Sequence, residues 1–192
     1  MSASTTKVAI ASNALVMVGD STISDFDGST TGAILMDEVF DDVVEDLLTS
    51  HPWRFAIKQS DLSLLSGEPE ALWDAAYQLP SDFLTLHRIT VNDTDIDFEV
   101  YGDQVFCNAA STSTVTANYT HYPDVVAWPA YFRMGVTLTL ASLAASTYGK
   151  ADVAEVFETK ADFQLRRARN RDSQIDTVPT INTSRFITNR RS

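Results

Sequence analysis

Apolar residues recur every three or four positions in four stretches of this chain and every second position between them. That pattern predicts helices toward both ends and strands in the middle. In the first stretch Val8, Ala11, Leu15 and Val18 share a face, Thr5 or Thr6 can cap it, and Gly19 can end it in the left-handed conformation. This gives a helix over 6–18. The second, over 32–50, alternates pairs: Asp37-Glu38, Val39-Phe40, Asp41-Asp42, Val43-Val44, Glu45-Asp46, Leu47-Leu48. A repeat of four drifts about 40° per turn against the 3.6-residue period, so its apolar stripe winds and can meet more than one neighbour. The third, over 130–148, turns Val136, Leu140, Leu143 and Ala144 to one side, and Gly149 ends it. Ala141, Ser142, Ala145 and Ser146 are small enough for another helix to come close. The fourth, over 152–171, repeats Val153, Phe157, Ala161 and Leu165 behind Asp152 and Glu155, a capping-box-like start.

The switch from helix to strand falls at His51-Pro52-Trp53-Arg54-Phe55-Ala56. Pro52 has no amide hydrogen and disfavours helix at the residue before it, so His51 is the last position the second helix can reach. Trp53, Phe55 and Ile57 then alternate with Arg54, Ala56 and Lys58, which predicts a short strand with one large apolar face. Tyr77 and Leu79 alternate likewise until Pro80 breaks the run, and Ser81 or Asp82 can cap a helical turn. The expected core anchors are Trp53, Phe55, Tyr77, Leu79 and Pro80. Ile96, Phe98 and Val100 read as a strand, Gly102-Asp103 as a two-residue hairpin turn into Gln104 to Asn108, and Val115, Ala117 and Tyr119 as a further strand. The expectation is an α+β fold: a helical bundle of two N-terminal and two C-terminal helices, a small antiparallel β-meander over 53–122, and an extended C-terminal tail. One domain spans 1–176, and the tail 177–192.

Charge narrows the partners. The net charge of -12 works against phosphate binding, which needs clustered Lys and Arg, and so against sequence-specific DNA recognition. One cysteine, Cys107, excludes an intrachain disulfide and a cysteine zinc knuckle, and suits assembly in a reducing cytoplasm. Met1 to Thr6 has no charged segment leading into an apolar run, so no secretory signal is expected. The longest uncharged apolar stretch, Met134 to Gly149, has 16 residues, short of the ~20 that span a bilayer, and no membrane partner is expected.

Candidate chemistry is sparse. Asp37, Glu38, Asp41, Asp42, Glu45 and Asp46 form an acidic face for solvent or a channel; a Ca²⁺ or Mg²⁺ site would need Gly turns and backbone carbonyls that a regular helix withholds. His51, His87 and His121 lie in separate elements, with no metal-ligand spacing among them. No phosphate-binding glycine loop and no nucleophile elbow occurs, and Cys107 in a short alternating strand reads as a small hydrophobe. No catalytic, metal or cofactor residue is nominated, and no enzyme activity is expected. Arg166, Arg167, Arg169 and Arg171 complement the dipole at the end of the last helix or dock an acidic partner. The tail carries Ile181, Arg185, Phe186, Ile187, Arg190 and Arg191. It cannot bury enough apolar area to offset ordering at ~1–2 kcal/mol per residue, so it is expected to add as a strand to a neighbour.

The order of pieces carries a further signal. Asn13-Ala14-Leu15 with Val18-Gly19, then Leu47-Leu48, then His51-Pro52-Trp53-Arg54-Phe55-Ala56, then Tyr77-Gln78-Leu79-Pro80-Ser81-Asp82-Phe83 resemble the tail tubular protein A family of short-tailed bacteriophages. The likeness is one of motif as far as Phe83 and of layout beyond it. Arg54 stands where the family often has Asn. The resemblance implies a structural virion protein, the head-to-tail adaptor. About twelve copies would form a ring between portal protein and tail nozzle protein at the portal vertex, around a channel for genomic DNA, after assembly in the host cytoplasm. It implies no catalytic residues. The alternative readings are a metal-dependent enzyme, or another cellular oligomeric interaction protein, using the acidic helix 37–46.

Overall fold

A computed structural model of the chain describes residues 6–67 and 72–174. These residues form four helices and two antiparallel sheets. The helices are α1 (Lys7–Met17), α2 (Thr31–Thr49), α3 (Ala130–Thr147) and α4 (Ala151–Ser173), each within two residues of the bounds the periodicity predicts. Their ends follow local chemistry. The Thr6 hydroxyl accepts the Ala9 amide at 3.1 Å, and the Thr30 hydroxyl accepts that of Ala33 at 3.2 Å. Gly19 and Gly149 follow α1 and α3 with φ of 82° and 69°, where a side chain would be strained. The capping box expected at the start of α4 does not form. The N-cap residue is Lys150, without a side-chain cap, and its ammonium donates to the Val18 carbonyl at 2.6 Å. That bond ties the α3–α4 turn to the end of α1.

Helix α3 packs against each of the other three and supplies Phe132, Val136, Leu140 and Ala144 to a first core shared with Leu15, Met36, Phe40, Val44, Trp53 and Trp128. Its nearest neighbour is α4. A Cβ on Gly135 would stand 2.6 Å from Leu165 Cδ2, so glycine is what lets the two helices approach there. Leu143, expected inward, is 39% exposed, and Val153 of α4 is 38% exposed. Of the row expected on α4, Ala161 and Leu165 are buried and Phe157 is half-buried, and the buried row continues through Ala168 and Asp172.

The β region is more than a meander. Its strands are β1 (Ile57–Asp61), β2 (Ser63–Leu64), β3 (Ala75–Gln78), β4 (Phe83–Val91), β5 (Thr94–Ile96), β6 (Phe98–Tyr101), β7 (Gln104–Cys107) and β8 (Val115–His121). They form two four-stranded sheets of order β1-β8-β4-β5 and β2-β3-β7-β6. The chain crosses between them four times, at 62, 79–82, 97 and 108–114, so Ile96 and Val100, expected on one strand, belong to different sheets. The β6–β7 hairpin turns at Gly102-Asp103 as expected, with Gly102 at φ 61°. A second two-residue turn, Asn92-Asp93, joins β4 to β5 with both residues at positive φ, 49° and 62°, a conformation Asn and Asp tolerate best among residues with side chains. Inward residues of both sheets, among them Tyr77, Ile89, Val105, Cys107, Val115, Ala117 and Tyr119, make a second core.

No strand starts at Trp53. Residues Arg54–Ala56 make one tight turn in which the Ala56 amide bonds the Trp53 carbonyl at 2.9 Å, and β1 begins only at Ile57. Trp53 and Ala56 are thereby buried while Phe55 is half-buried, a spacing of three where alternation had implied two.

Candidate interaction surfaces

The expected anchors divide between the two cores. Trp53 and Phe55 serve the helices, Tyr77 and Leu79 serve the sheets, and Pro80 is half-buried at the end of that run. Trp53 closes the end of α2: its indole N–H donates to the Leu47 carbonyl at 2.7 Å, and its ring lies edge-on to Phe132 and stacked near Tyr131. Asp82, two residues past Pro80, accepts from the Tyr119 hydroxyl at 2.9 Å and from Lys58 at 2.7 Å. The Tyr-x-Leu-Pro-x-Asp segment thus fastens the second core at both ends.

The organising polar group is one that sequence reasoning missed. Asp172 is 1% exposed, and its carboxylate accepts from the Arg54 amide at 2.9 Å and from the Tyr131 hydroxyl at 2.8 Å. His51 Nε2 stands 3.7 Å away. Burial and then this hydrogen bond push the Tyr131 phenol well above its ordinary pKa. One buried anion therefore pins the His51-Pro52 turn, the start of α3 and the end of α4 together. The signal was present: Ala161, Leu165, Ala168 and Asp172 are spaced four, three and four, and a carboxylate in register with a buried row must find donors.

His51 and His87, distant in sequence, line one cleft of about 410 Å³ with Arg54, Arg88 and Asp172. Burial holds both imidazoles below the ordinary value of 6.5; for His51 the Arg169 cation adds to this and the pull of Asp172 opposes it. Unfolding restores the ordinary value, so the unfolded chain binds these protons first as pH falls. Stability is therefore flat from about pH 8 down to about pH 6.5 and declines below it. A second decline follows below 3.8, the ordinary aspartate value, because three carboxylates sit beneath it. Asp20 is lowered chiefly by its hydrogen bond from Tyr148 and Asp82 by that from Lys58, while burial raises Asp41 but Lys7 and Tyr122 outweigh it. Urea midpoints measured from about pH 8 to pH 3 should show both steps, and His51→Gln should shrink the first. A midpoint that rises on acidification from neutrality would contradict this.

The six acids of α2 are all exposed. Asp41 accepts from Lys7 at 2.6 Å and from the Tyr122 hydroxyl at 2.7 Å; the other five make no ion pair among the described residues. Nor is any group of three or more His, Cys, Asp or Glu placed to hold a metal ion among those residues. Cys107 lies inside the second core, where burial pushes its thiol up to about 11. The arginines of α4 separate into two kinds. Arg166, Arg167 and Arg171 are exposed, and Arg167 lies over the Phe163 ring at 5.6 Å. Arg169, expected among them, turns inward, with one terminal nitrogen 3.3 Å from the Ser50 hydroxyl. Beside Arg166 a groove of about 440 Å³ runs between α3 and α4, lined by Leu138, Lys160, Phe163 and Gln164. No helix of the described residues is long and apolar enough to cross a membrane. Ile181, Arg185, Phe186, Ile187, Arg190 and Arg191 lie outside the described residues. Comparison with protein-family models and with characterised proteins gives no match to this chain.

Proposed function

We propose that this protein is a structural adaptor that closes into a ring of about twelve copies and joins a bacteriophage portal protein to the tail nozzle protein. Its four helices act as a bundle with α3 at the centre, and genomic DNA passes through the ring without sequence-specific contact. It works in the virion, after assembly in the host cytoplasm, and has no catalytic step. The observation that carries this reading is the order of motifs from Asn13 to Phe83, with the His-Pro-Trp-Arg-Phe-Ala segment built into the first core. The acidic balance supports it, since like charge keeps a channel wall from holding DNA by its phosphates. So do the exposed apolar residues Val156 and Phe163, which leave α4 with a face for a neighbour.

Native mass measurement of the purified protein, alone and with purified portal rings, tests this. A portal-bound ring of defined copy number is expected, and a protein that never joins the portal would end the reading. Removal of Thr177 to Ser192 should leave the melting transition in place but reduce incorporation into particles, because the tail is read as the segment that docks. Normal incorporation of the shortened chain would exclude that role for the tail.

A further inference from the structure

We infer that the outward stripe of α2 in one copy seats on the exposed stripe of α4, beside the α3–α4 groove, in the next copy. The inference rests on the ring reading above and supplies its interface. Two unlike surfaces lead to it. On α2, Ile34, Glu38, Asp42 and Glu45 follow one another at spacings of four, four and three, so they share one side of the helix, and Ile34 is 54% exposed. The stripe is an apolar residue followed by carboxylates that have no ion-pair partner within the described residues. On α4, Val156, Lys160, Phe163 and Arg167 are spaced four, three and four on the side away from Ala161, Leu165 and Ala168. Val156 and Phe163 are 50% and 56% exposed, and Arg166 adds a cation at the edge of the groove.

Apolar residues and cations alternate along one stripe, and an apolar residue leads a row of anions along the other. Pairing them buries Ile34 against Val156 and Phe163 and faces carboxylates with Lys160, Arg166 and Arg167. The symmetric alternatives are unfavourable, because α4 on α4 would oppose cations and α2 on α2 would oppose acids. The tail is a poor occupant as well: from Ile175 onward it has three arginines and one acid, and the groove edge is cationic. Association through two different surfaces is head-to-tail, which is the kind that closes into rings. The α2 acids then lie at subunit contacts, not along the channel wall.

The test is sedimentation of the full-length chain up to near-millimolar concentration at low and high salt. The wild type should self-associate, and more weakly at high salt, since the screening length shrinks from about 10 Å at 0.1 M to about 3 Å at 1 M. Reversal of the α2 stripe (Glu38→Lys, Asp42→Lys, Glu45→Lys) or of the α4 stripe (Lys160→Glu, Arg166→Glu, Arg167→Glu) should each raise the dissociation constant at least about tenfold. All six changes in one chain should bring it back to within about threefold of wild type. Because every changed residue is exposed, recovery in the combined chain also shows that the single-stripe variants were folded. The inference is overturned if the wild type stays monomeric throughout, if either reversal leaves association unchanged, or if the combined chain does not recover. It is equally overturned if Phe186→Ala with Ile187→Ala abolishes association while the α2 reversal does not, for the tail would then be the occupant. A portal-bound ring that forms equally well from the α2-reversed chain would sink this pairing and leave the ring reading standing.

Discussion

Replacing Trp53 by alanine should cost about 3–5 kcal/mol of folding stability, the range for truncating a large buried aromatic side chain. The indole is fully buried and meets four rings: His51 at 4.8 Å between centroids, Phe132 at 5.1 Å, Phe55 at 6.1 Å and Tyr131 at 6.3 Å. Its removal also takes from the Leu47 carbonyl one of its two side-chain donors, the other being the Ser50 hydroxyl at 2.8 Å. Against a typical total of 5–15 kcal/mol this is a large fraction, and the melting temperature should fall by roughly 10 °C. Trp53→Phe keeps most of the apolar volume and loses the hydrogen bond, so its cost should be clearly smaller. Thermal and urea melts of both variants would check the ordering. Trp53→Ala within about 1 kcal/mol of wild type would show that the anchor is not where the first core is held.

Asp172→Ala should cost about 2–5 kcal/mol, because it leaves the Tyr131 hydroxyl and the Arg54 amide without their buried acceptor. Asp172→Asn keeps the shape and one acceptor oxygen but points a donor at a donor on the other side, so an intermediate loss is expected. The diagnostic is the pair. Tyr131→Phe removes the donor that Asp172→Ala strands, so the double variant should be more stable than the sum of the two losses predicts, by roughly 0.5–3 kcal/mol. Strict additivity would mean that the Tyr131 bond contributes nothing. Asp172 also holds the end of α4 against the His51-Pro52 turn.

The four helices were legible in the sequence because period, caps and stops act over a few residues. A hydroxyl at Thr6, glycines at 19 and 149, and proline at 52 and 129 constrain backbone angles whatever lies around them. The Gly102-Asp103 hairpin was legible for the same reason. The acidic face of α2 was legible too, since paired carboxylates at that density must point to solvent or to a partner. Other features were not. Alternation predicted a strand at Trp53, and the chain makes a tight turn instead, since the indole gains a carbonyl partner and four rings by entering the helical core. Alternation likewise cannot say that a strand leaves one sheet for another at Asp97, because both halves keep the same local pattern.

What remained hidden has one physical origin. Hydrogen-bond periodicity and steric limits on backbone angles are local, so they write helices, turns and caps into short stretches of sequence. Which side of α4 is buried, which strands pair, and which carboxylate is enclosed depend on partners brought from far along the chain. Asp172 and Arg54, 118 positions apart, meet only once both α3 and the His51-Pro52 turn are in place. The elements came from the local pattern; their assignment to two cores, and the burial of the charge that fastens them, came from packing.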